Sequence, residues 1–67
     1  MIGKILLQAA ATVNGDWELI QLRDAGGKFV VSTIIGNLEV SRDFASRKKA
    51  EALYERMTAD LRRRVLR

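Results

Sequence analysis

The stretch ATVNGDWELIQLRDAGGKFVVSTIIGNLEV, residues 11–40, decides the fold. It carries three turn signals at regular spacing, Asn14-Gly15, Gly26-Gly27 and Gly36-Asn37, separated by runs rich in β-branched and aromatic residues. Asn-Gly is the strongest short hairpin signal, because a type I′ turn needs positive φ at both central residues. Working outward, KILLQAAATV before the first turn and LEVSRDF after the last complete four strands, at about 3–13, 16–23, 28–35 and 38–44. Short turns between successive strands predict a four-stranded antiparallel meander.

Turns also fix which residues face each other, and strand side chains alternate between faces. A two-residue Asn14-Gly15 turn sets Val13 opposite Asp16, Ala11 opposite Glu18, Ala9 opposite Ile20 and Leu7 opposite Leu22. A two- or four-residue loop at Gly26-Gly27 brings Phe29, Val31, Thr33 and Ile35 onto the face of Ile20 and Leu22. The Gly36-Asn37 turn adds Leu38, Val40, Arg42 and Phe44. With Ile5, and leaving aside the Val13–Asp16 pair at the turn, this summed face is apolar apart from Glu18, Thr33 and Arg42. A three-residue bulged loop at Gly26-Gly27 would instead flip the first two strands relative to the last two.

After the strands comes FASRKKAEALYERM, residues 44–57. Ser46 is a good N-cap, although Lys49 cannot complete a capping box. Ala50, Leu53, Tyr54, Met57 and Leu61 recur at spacings of three and four. That pattern predicts a helix over about 47–64 with one apolar stripe to lay on the sheet. The fold is therefore expected to be α+β: one ββββα domain over residues 1–67, with its C-terminal helix packed on one sheet face. On the helical wheel Lys49, Arg56, Arg63 and Arg67 share one flank, with Glu51 and Glu55 on the far side. Arg64 points back toward the stripe, so the helix is expected to leave the sheet or fray there. Its first turn holds Arg47, Lys48 and Lys49, where the helix dipole favours acids.

The chain has 67 residues. A chain of that length buries only about 60% of its unfolded surface, so a further source of stability is expected. Cysteine and histidine are absent. Their absence excludes disulfides and the usual zinc spacings and leaves self-association. Proline is absent too. No apolar run approaches the roughly 20 residues that a membrane span needs. The opening MIGKILLQAAATVNGDW echoes a signal peptide, but Gln8 breaks its apolar run and cleavage near Ala11 would remove a strand. A cytoplasmic location is therefore expected. The net charge of +4 is uneven: residues 1–45 hold four basic and five acidic side chains, residues 46–67 eight and three. An anionic partner should meet the C-terminal segment first.

Catalysis has little to work with. No paired carboxylates are placed in one pocket, no His or Cys is present, and the glycines lie in hairpin turns rather than before a helix. No enzyme activity, cofactor, metal or small-molecule substrate is expected. The sheet face away from the helix is more informative, since it exposes Trp17, Leu19, Val30 and Ile34, with Trp17 expected beside Ile34. At its other end Lys4, Arg23 and Lys28 are expected to cluster, Arg23 nearly opposite Lys28. Either Trp17 stacks bases while these cations hold phosphates, or the face pairs with a second copy as a homodimer. On the helix, Lys48, Lys49, Arg56, Arg63 and Arg67 are placed to follow a phosphate backbone. The expectation is a small non-enzymatic nucleic-acid-binding protein, for DNA or RNA, that forms a homodimer. The alternative is a protein-binding adaptor or inhibitor acting through the sheet face or the helix.

Over residues 15–57, the order Trp17, a Gly-rich turn, Lys28-Phe29 and then FASRKKAEA resembles the small sheet-plus-helix DNA-binding domains at the N-terminus of tyrosine recombinases. Those domains lack the first strand expected here. In topology, four strands then a helix is similar to the single-strand-binding transcriptional coactivator and purine-rich-element-binding folds, which dimerise. Both resemblances imply nucleic acid as a partner.

Overall fold

The computed structural model describes residues 3–65. Four strands, β1 (Lys4–Val13), β2 (Asp16–Asp24), β3 (Phe29–Ile35) and β4 (Leu38–Phe44), precede one helix, α1 (Arg47–Val65). The sheet is antiparallel in the order β1-β2-β3-β4, and α1 contacts all four strands. The α+β meander and its C-terminal helix are thus as expected.

The turns behave as their residues require. Asn14 has φ 53 and Gly15 φ 85, both positive. A type I′ turn demands that pair of values. At the third turn Gly36 has φ 61, and Asn37 does not take positive φ. Positive φ at the first central residue alone is the pattern of a type II′ turn. The middle loop has four residues, closed by Ala25 N–H donating to the Lys28 carbonyl at 2.9 Å. Asp24 pairs with Phe29 across it, so β1–β2 and β3–β4 keep a common apolar face.

From Leu7 to Val13 the β1–β2 register is the expected one: Leu7 faces Leu22, Ala9 faces Ile20 and Ala11 faces Glu18. Before Leu7 a bulge intervenes, so Ile5 faces Arg23 and Lys4 faces Asp24. This corrects the expected faces at the start of β1. One extra residue exchanges the sides of everything before it. Leu6 packs against the core in place of Ile5, and Lys4 joins the row of Asp24, Phe29 and Phe44 on the helix side.

Val13, Ile20, Leu22, Val31, Ala50, Tyr54 and Leu61 form the buried core. Leu38 and Val40 lie on the same sheet face yet stay 64% and 59% exposed. One helix, about 10–12 Å across, cannot cover four strands spaced about 4.8 Å apart. It leaves the outer edge of β4 bare. Ser46 caps α1 as expected: its Oγ accepts from Lys49 N–H at 3.4 Å, and its carbonyl from Ala50 N–H at 3.1 Å.

Arg64 corrects the expectation for the helix end, since α1 stays helical through Val65. Arg64 Nη1 donates to Glu18 Oε2 at 2.6 Å, and its Nε to Asp60 Oδ2 at 3.0 Å. Glu18 is 4% exposed on the helix-side face of β2. Two residues that broke the apolar pattern separately are therefore one ion pair joining helix to sheet.

Candidate nucleic-acid interface

Charge on α1 is set by its sequence: the first turn contains no acid, and the last turn holds Arg62, Arg63 and Arg64. Lys49, Arg56 and Arg63 recur at heptad spacing, so they line up along the exposed surface with a drift of only ~20° per heptad. All three are exposed, on the half of the wheel that also carries Leu53 and Met57. Thr33 Oγ1 donates to Met57 Sδ at 3.8 Å, which turns that half toward β3 and the free edge of β4. Arg62 is exposed on the β1 side, where Thr58, Leu61, Arg62 and Val65 form with Ala9–Ala11 an open apolar groove of about 350 Å³, and Lys48 is exposed on the back of the helix between that side and the Lys49–Arg63 line.

Which cations already have an acidic partner separates the two candidate faces. On α1, Arg47 bonds Glu51 at 3.2 Å, and Arg63 reaches Asp60 at 3.3 Å. Arg64 also takes Asp60, so that carboxylate is shared. Lys48, Lys49, Arg56 and Arg62 form no ion pair among the described residues. Arg67 lies outside the described residues.

On the opposite face the expected cation cluster is not assembled. Lys4 is on the other side of the sheet, and Arg23 faces Val30 rather than Lys28. Asp43, opposite Val30 in β4, takes Lys28 at 3.0 Å. The Arg23 side chain is only 14% exposed; its Nη2 donates to Ser32 Oγ at 2.7 Å and lies 4.0 Å from Glu39. Acids of the chain itself relieve the repulsion that a phosphate was expected to relieve.

The apolar residues of this face are divided as well. Gln8, Gln21, Ser32 and Ser41 form a polar row across its middle. Within that row Gln21 Nε2 donates to Gln8 Oε1 at 3.2 Å and Ser32 and Ser41 share a hydroxyl bond at 3.1 Å, while Ser32 also accepts from Arg23 and Ser41 donates to Glu39. Leu19 faces Ile34 on one side of the row, and Val30 lies on the other. Trp17 faces Thr12 and sits one step beyond Leu19, not beside Ile34 as expected; it is 53% exposed. Leu19, Val30 and Ile34 are half-buried.

Arg42 is not among the candidate residues read from the sequence, although its place on the apolar face marks it as unusual. It stands on the helix side of β4, exposed, with its guanidinium 5.7 Å from the Phe44 ring centroid. This is a cation–π distance. Arg42 is a further charge on the helix side of β4, the strand toward which the Lys49–Arg56 half of α1 is turned. No protein-family model matches the chain, and comparison with curated proteins and with solved structures finds no match.

Proposed function

We propose that the chain is a small non-enzymatic nucleic-acid-binding protein of the cytoplasm whose contact surface is the outer flank of α1, from Lys48 and Lys49 through Arg56 to Arg63, with Arg42 beside it. The supporting observation is the division of charge. Lys48, Lys49 and Arg56 are exposed without acidic partners among the described residues, whereas Arg23 and Lys28 are matched by Glu39 and Asp43. A phosphate backbone along the flank supplies the anion that the first helical turn lacks. Trp17 lies on the opposite sheet face, so base stacking there would be a separate contact.

Anisotropy of labelled single-stranded and duplex oligonucleotides, titrated across a salt series, tests this reading. Four phosphate contacts on duplex predict that log K falls by ~3.6 per tenfold rise in salt, and Lys49→Ala with Arg56→Ala should reduce that slope by ~1.8. Lys28→Ala should leave it unchanged. Absence of binding at low salt, or a slope indifferent to the helix variant, refutes the reading. A second reading, a protein-binding module, is favoured by the exposed Leu38 and Val40. It predicts an interaction that salt barely moves.

A further inference from the structure

We infer that β4 is a pairing edge for a second copy of this chain, joined antiparallel to its counterpart with Val40 on the two-fold axis. The inference is independent of whether α1 meets nucleic acid. Both outer strands end the sheet, but they differ. The bulge before Leu7 interrupts β1, while β4 pairs regularly from Leu38 to Phe44. A bulge is a common way of blunting an edge.

The direction of the free hydrogen-bonding groups follows from one bond. Gly36 N–H donates to the Trp17 carbonyl at 3.0 Å, so Gly36 points toward β2. Backbone groups alternate along a strand, so Ile35, Thr33, Val31 and Phe29 point toward β4. Their partners Leu38, Val40, Arg42 and Phe44 point back. Glu39, Ser41 and Asp43 are left directing N–H and C=O outward at the free edge.

Charge restricts the registers open to a second copy. Two copies paired about a two-fold axis normal to the sheet place like residues symmetrically about that axis. Axes on Glu39, Arg42 or Asp43 set each charge against itself, and an axis on Ser41 sets Glu39 against Asp43. With Val40 on the axis, Glu39 meets Ser41, Leu38 meets Arg42, Asp43 meets Asn37, and no like charges are opposed. This register also pairs the outward-pointing Glu39 and Ser41 as mutual hydrogen-bonding partners, and it brings the two Val40 side chains together as a close, non-hydrogen-bonded pair. Both helices then lie on one face of an eight-stranded sheet. Leu38 and Val40 of both copies line the floor between them, where a single copy leaves these residues bare.

Sedimentation of the full chain over a concentration series, with variants, tests the interface. The wild type should reach twice the protomer mass. Ser41→Pro removes an outward N–H without touching the β3 ladder and should return the protein to one protomer mass, as should Val40→Lys, which opposes two cations at the axis. Trp17→Ala should remain dimeric. Because the chain has no cysteine, Val40→Cys should cross-link to itself under mild oxidation, whereas Leu38→Cys should not. A wild type that stays at one protomer mass at every concentration overturns the proposal. So does a dimer that survives both Ser41→Pro and Val40→Lys, or one that Trp17→Ala alone dissolves.

Discussion

Removing Arg64 should cost this protein a large share of its stability. The Glu18 side chain is 6% exposed, and Arg64 is its one hydrogen-bond donor among the described residues; the second oxygen, Oε1, already has none. Breaking a fully buried ion pair costs about 3–5 kcal/mol, because it strands the remaining charge away from water. Arg64 is itself 37% exposed and shared with Asp60. Solvent therefore weakens the pair, and about 2–3 kcal/mol is expected for Arg64→Ala. A domain of this length holds only ~3–10 kcal/mol in total. Glu18→Gln should cost less, about 1 kcal/mol, since Arg64 keeps Asp60 and water. The double variant should fall short of the sum by about 1 kcal/mol or more, as contacting residues do. Urea unfolding of the four proteins at one fixed concentration gives the cycle. A loss for Arg64→Ala below about 0.5 kcal/mol, the size of an exposed pair, would show that Glu18 does not depend on it.

Two further perturbations probe the core. Burial raises the Tyr54 phenol above its ordinary value, against the opposing pull of Arg62. Above that ordinary value the unfolded chain loses the proton first, so folding stability should fall as pH rises through the folded value, and Tyr54→Phe should lose less over the same range. As this is the single tyrosine, its phenolate absorbance reports the titration directly. At the β1 bulge Leu6 is the residue packed on the core. Leu6→Ala should therefore cost at least about 1 kcal/mol more than Ile5→Ala. Denaturant midpoints compare the two, and the reverse order would contradict the bulge.

Most of the architecture was legible because turn chemistry and side-chain alternation agree. Asn14-Gly15 and Gly36-Asn37 set registers that hold over most of the sheet. The misplaced residues mark where local pattern carries too little information. The β1 bulge has no glycine or proline to announce it, so Ile5 and Leu6, both apolar, exchange faces without a signal. Glu18 and Arg64 are 46 residues apart, and each alone reads as an interruption of an apolar stripe. Only packing of α1 on β2 turns them into a pair. On the candidate site, the Lys49–Arg56–Arg63 line was readable from its heptad spacing. The partners of Arg23 and Lys28 were not, because they come from β4, whose acids become neighbours only once the sheet is assembled. Exposure of Leu38 and Val40 depends on how far one helix reaches across four strands, which periodicity does not encode.

Backbone amide chemical shifts read the contact face of α1 directly. With a short single-stranded oligonucleotide added at low salt, the account predicts shifts concentrated at Ser46–Lys49, Arg56 and Arg63, with Arg42 beside them, reversed by added salt. Shifts confined to Trp17, Leu19 and Ile34, or no shifts at all, would contradict it.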